Sequence, residues 1–149
     1  MTLKQKVHAH YLQQVQDQID VFRDRTTALT QDAQNDAKGS AGDKHETALS
    51  MMHIEQEKIN HKLGEILAQK AILDKIDSQS VSKKVALGSL VKTSGMLLFI
   101  STALPKIKIE EYIIFAVSLQ SPLGSKLLEN NAGFSFNMNE KQYLIEELM

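Results

Sequence analysis

The chain has 149 residues, 42% hydrophobic and 5% aromatic with no Trp, which suits one ordinary domain or two small ones. Its lack of Cys excludes a disulfide framework, a thiolate nucleophile and a cysteine-based metal site, and its net charge of −1 gives no gross pull toward nucleic acid. No apolar run approaches the roughly 18 residues of a membrane span, and Met1-Thr2-Leu3-Lys4-Gln5-Lys6 lacks the apolar run of a signal peptide, so a cytoplasmic location is expected.

From about Leu3 to about Gln34 the apolar residues recur at helical spacing. Leu12, Val15, Ile19, Phe22, Leu29 and Ala33, with Thr26 filling one place, alternate in steps of three and four, which is a heptad seam. One narrow apolar stripe on so long a helix needs a partner stripe. The segment from about Thr47 to Ile76 supplies it through Ala48, Met52, Ile59, Leu63, Ile66 and Leu73. Glu55 and Lys70 take two seam positions, and Ile54, Leu67 and Ile72 widen the stripe. Met51 and Met52 read as core or seam fillers. The short polar stretch 39–46, with Gly39 and Gly42, joins the two helices and becomes the tip of an antiparallel coiled-coil hairpin.

Asp77-Ser78-Gln79-Ser80-Val81-Ser82 ends the helical period and reads as a linker. Strand-like runs follow at 85–93, 96–101 and 111–118, with a turn at Ser94-Gly95 and Pro105 in a connection. Ser121-Pro122-Leu123-Gly124-Ser125-Lys126-Leu127-Leu128 reads as a short helix, with Ser121 as N-cap and Pro122 at its first position. A closing hairpin runs 134–138 and 142–148 around Asn139-Glu140-Lys141. The expected fold is α+β: a helical hairpin over 1–77, then a small antiparallel sheet with one short helix over 83–149.

Asp43 and Glu46 are the residues best placed for chemistry. Three apart at a helix start, they fit a capping arrangement with Asp43 as N-cap and Glu46 as the third helical residue. The same two carboxylates could hold a divalent cation jointly with a partner, since Mg²⁺ is commonly bound by one or two carboxylates plus phosphates and waters. His45, between them, reads as a solvated side chain, and so do His8, His10, His53 and His61 on the helix surfaces. No nucleophile–base set, phosphate-cradling glycine loop or dinucleotide fingerprint stands out, so an independent enzyme is not expected.

A long helical hairpin with Gly42-Asp43-x-x-Glu46 and Ala48 at its tip is followed by Ser121-Pro122-Leu123-Gly124, Leu127-Leu128 and Gly133. That combination resembles the bacterial Gre transcript-cleavage factors. The resemblance implies an FKBP-like second domain that docks at the mouth of the RNA polymerase secondary channel while the hairpin passes down it. It implies that Asp43 and Glu46 are the catalytic and metal-binding pair, helping to hold a Mg²⁺ shared with the polymerase. A factor of this kind stimulates the polymerase's own cleavage of backtracked RNA, touches the nascent RNA 3′ end indirectly, works away from membranes and is a monomer. Arg23, Arg25 and Lys38 are its candidate RNA-contacting residues. The sequence departs from the family pattern at Lys44, Thr47, Leu49 and Ser50 in the tip, and at Lys126, Glu129 (where Gly is usual) and Phe134 around the short helix. Two other readings stand beside it: a Gre-like regulator that binds polymerase without cleavage, and a coiled-coil adaptor unrelated to polymerase.

Overall fold

The computed structural model describes residues 1–39 and 42–149 and, within the helices, no side chain at 33 or at 35–45. The expected tip turn therefore lies partly outside the described residues: Ser40 and Ala41 entirely, and Asp43, Lys44 and His45 in their side chains.

The fold is α+β. Helix α1 spans Leu3–Gly39 (37 residues) and α2 spans Gly42–Asp74 (33 residues), about 55 Å and about 50 Å long at 1.5 Å per residue. Strands β1 (Leu90–Thr93), β2 (Met96–Ser101), β3 (Leu104–Ile109) and β4 (Tyr112–Ser118) follow. After them come α3 (Pro122–Leu127), β5 (Ser135–Met138), β6 (Lys141–Leu144) and β7 (Glu147–Leu148). The chain divides into two compact units, Gln13–Lys70, and Met1–Leu12 together with Ala71–Met149.

The first unit is a helical hairpin. Val15, Ile19, Ile59 and Ile66 are buried in it, and Phe22, Thr26, Leu29, Ala48, Met52 and Leu63 are half-buried, as the seam requires. The seam departs from expectation at one place. Glu55 is exposed and Gln56 is half-buried instead, donating from Nε2 to Thr30 Oγ1 across the two helices at 3.3 Å. A neutral amide tolerates that position better than a carboxylate because it can both donate and accept. Ile54 and Leu67 do not widen the stripe, and Met51 does not fill the seam: they are 53%, 40% and 63% exposed. Their positions point away from the partner helix, and isolated exposed apolar side chains are ordinary.

The second unit is layered. Its main sheet has the order β3-β4-β2-β1-β7, with β2 and β4 parallel and the other pairs antiparallel. The sheet is thus mixed, whereas an all-antiparallel one was expected. Leu97, Leu98, Phe99 and Ile100 of β2 are all buried because both faces of this central strand are covered, so its sequence is a continuous apolar run rather than an alternation. On one face Phe99 stacks on Tyr11 of α1, with ring centroids 5.9 Å apart and planes 2° from parallel. On the other, Val91, Leu98, Ile100 and Val117 share a core with Val85, Leu127 of α3 and Ile145. Strands β5 and β6 form a separate hairpin.

Two strand expectations change. The 85–93 run is a strand only from Leu90, because the chain before it turns: Gly88 has φ +90°, and Val85 exchanges backbone bonds with Asn130 and Glu129 instead of β2. Conversely, Pro105 does not mark a connection but sits in β3. That strand is at the sheet edge, with its register shifted between Leu104 and Ile107, where a residue without an N–H is tolerated.

Candidate functional site

The acidic pair stands where the second helix begins. Helix α2 starts at Gly42, so Asp43 is its second residue and Glu46 its fifth. The Asp43 side chain and residues 40 and 41 before it lie outside the described residues, and the N-cap assignment of Asp43 lies there with them; both positions fall in the first turns of α2, where the helix dipole favours negative charge. A spacing of three places the two positions on one face of the helix. Glu46 is exposed. Among the described residues, no group of three or more His, Asp or Glu side chains is arranged to hold a metal ion. Of the basic candidates, Arg23 and Arg25 are exposed, and the Arg25 guanidinium lies 5.8 Å from the centre of the Phe22 ring, a cation–π contact along α1; the Lys38 side chain lies outside the described residues.

The Ser-Pro-Leu-Gly segment is explained by its geometry. Ser121 is the N-cap of α3: its Oγ accepts from Gly124 N at 3.0 Å and donates to Ser118 O at 2.6 Å. Pro122 takes the first helical position, where its missing N–H costs nothing. Gly124 is required by space, since a Cβ there would lie 2.0 Å from the Ser118 carbonyl oxygen. The segment therefore locks α3 against the end of β4, with Leu127 buried beneath it. Glu129, just past the helix, has φ 64°, which explains why glycine suits that place.

The histidines behave differently from one another. His10, His53 and His61 are exposed, and His61 lies 3.2 Å from Glu65. His8 is not a solvated surface residue. It is half-buried, its Nε2 donates to Leu73 O at 2.7 Å, and its ring lies 6.4 Å from Phe99. Leu73 O can only accept, so Nε2 carries a proton.

Two polar side chains near the start of α1 are buried; Tyr11 lies on the apolar stripe read from the sequence, and Lys4 carried no such sign. Tyr11 is fully buried, its hydroxyl donates to Pro105 O at 2.8 Å, and burial pushes the phenol up to about 12. Lys4 is 6% exposed and donates from Nζ to Ser80 O at 2.6 Å. Burial lowers its pKa, and the negative charge of Asp77 partly opposes that. Helix α1 opens with a capping box that was legible as Thr-x-x-Gln: Thr2 N donates to Gln5 Oε1 at 2.9 Å, and Gln5 N to Thr2 Oγ1 at 3.2 Å.

No protein-family model matches the chain, and no curated protein matches it.

Proposed function

We propose that this protein is a Gre-like factor that binds RNA polymerase through the secondary channel and stimulates cleavage of backtracked RNA by lending Asp43 and Glu46 to a Mg²⁺ shared with the polymerase. The observation that carries the reading is the placement of this pair. Two carboxylate positions share one face of the first turns of α2, at the closed end of a helical hairpin, and Glu46 is exposed.

The donor set fits a shared ion and not a resident one. Hard divalent cations take oxygen ligands, and two carboxylates fall short of the six that Mg²⁺ demands. In this reading the polymerase completes the shell. The chemistry such an ion supplies is activation of the attacking water and stabilisation of the leaving oxygen. The chain's own contribution is to carry two anionic acceptors on a two-helix stalk and hold them at fixed spacing. The sheet unit, locked by the Ser121–Gly124 segment, would be the docking body.

Titrating fluorescently labelled protein onto RNA polymerase core enzyme tests the reading. Saturable one-to-one binding that a second secondary-channel ligand displaces is the expected result, and absence of binding would favour an adaptor unrelated to polymerase. Binding with no cleavage of stalled complexes would select the regulator that occupies the channel without cutting.

A further inference from the structure

The seam of the hairpin unit changes character part way along its length. Val15 and Ile19 of α1 and Ile59 and Ile66 of α2 are buried. Among the described residues, Ile19 is the last buried side chain on α1 and Ile59 the first on α2. Farther out, Thr26, Leu29, Ala48, Met52 and Gln56 are only half-buried, and Thr26, Ala48 and Gln56 bring short or polar side chains to the seam.

Polar groups occupy that outer stretch. Thr26 Oγ1 donates to Phe22 O at 3.1 Å, Thr27 Oγ1 to Arg23 O at 3.2 Å and Thr30 Oγ1 to Thr26 O at 3.0 Å. Each hydroxyl thus bonds back into its own helix instead of reaching the partner helix, and threonine is a poor helix former. The Thr30 hydroxyl has one proton and gives it to Thr26 O, so it can only accept from Gln56 Nε2, 3.3 Å away across the two helices. That bond is exposed, and its net contribution of about 0.5–1.5 kcal/mol at most is less than that of one fully buried isoleucine.

We infer that the stalk is built in two stages. The base, 15–19 with 59–70, stays closed until the whole unit unfolds. The outer stretch, 26–32 with 48–56, opens and closes as a unit, with Gln56 on Thr30 as its latch. Local opening is drawn to places where few apolar groups are buried and backbone bonds are exposed, and the outer stretch meets both conditions. The inference uses the hairpin alone and holds whatever the tip serves. A partner that takes up only the closed stalk would bind less tightly in proportion to the fraction of stalks that are open.

Native-state hydrogen exchange on the full ¹⁵N-labelled chain tests this, with one variant in each stage. In wild type the amides of 26–32 and 48–56 should exchange at least about tenfold faster than those of 15–19 and 62–70, after correction for intrinsic rates, and should share one protection factor within about threefold. Ile66→Val weakens the base. It destabilises the closed and the outer-open forms alike, so base amides should exchange about fivefold faster while outer amides keep their wild-type rates. Thr30→Val keeps the shape and removes the hydroxyl, and outer amides should exchange about threefold faster. Protection that declines smoothly along the stalk, or outer amides accelerated by Ile66→Val as much as base amides, would overturn the two-stage stalk. Unchanged outer rates in Thr30→Val would overturn the latch.

Discussion

Gly124 and Tyr11 show how single side chains fix the sheet unit. The absent Cβ of Gly124 lets the α3 backbone come down on the Ser118 carbonyl, and a methyl group only 2.0 Å from that oxygen leaves no rotamer to escape into. Gly124→Ala should therefore lower stability by about 3 kcal/mol, read as a fall in the urea midpoint, and a change below about 0.5 kcal/mol would show that α3 can shift freely. Tyr11 gives a pH signature. Its phenol is raised to about 12 in the fold but titrates near 10 when unfolded, so its contribution is complete below pH ~10 and is lost as pH rises toward ~12. A gap of about two units on a fully buried group corresponds to roughly 2–3 kcal/mol. Tyr11→Phe should cost about 1 kcal/mol at neutral pH, because the Pro105 carbonyl loses its donor, yet its stability should change much less than the wild type's between pH ~10 and ~12. Parallel alkaline curves for the two proteins would contradict this account of Tyr11.

Among the elements, the tight turns hold the least favourable backbone. Asn139 and Glu140, between β5 and β6, have φ 52° and 64°, the arrangement of a two-residue hairpin turn in which Asn-Gly is preferred. Glu140→Gly should stabilise the protein by about 0.5–1 kcal/mol, raising the melting midpoint by about 1–4 °C, and a fall would mean that Glu140 makes a compensating contact. The turn between β1 and β2, Ser94-Gly95, already uses a glycine at its second place and was legible from sequence. The hairpin was legible too, because a heptad seam with polar flanks admits few other uses. Strand β3 was not: Pro105 suggested a connection, although Lys106-Ile107-Lys108-Ile109 alternates exposed and covered side chains as an edge strand does. The parallel pairing of β2 with β4 could not be read either, since nothing local distinguishes a strand's neighbour in space from its neighbour in sequence. His8 looked like a surface residue, and the burial of Lys4 had no local sign, because their partners lie far along the chain: Leu73 and Phe99 for one, Ser80 for the other.

On the scale of the molecule, the composition divides the labour. The apolar and aromatic residues that build a layered core lie mostly after residue 84, while the two long helices spend theirs on one seam and leave the rest polar. No described helix is long and apolar enough to cross a membrane. In the proposed function the acidic pair serves another molecule's chemistry. Asp43 and Glu46 were singled out by spacing and by the Gly-Asp-x-x-Glu pattern, and the start of α2 at Gly42 places both in its first turns. The most direct measurement is the rate of RNA cleavage in backtracked polymerase complexes with wild-type protein and with Asp43→Asn, Glu46→Gln, read across a Mg²⁺ titration. The account predicts that wild type accelerates cleavage and lowers the Mg²⁺ needed for half-maximal rate, while the double variant still binds polymerase but loses at least about 100-fold of the stimulation, as expected when ligands that act in the transition state are removed. Undiminished stimulation by the double variant would contradict it.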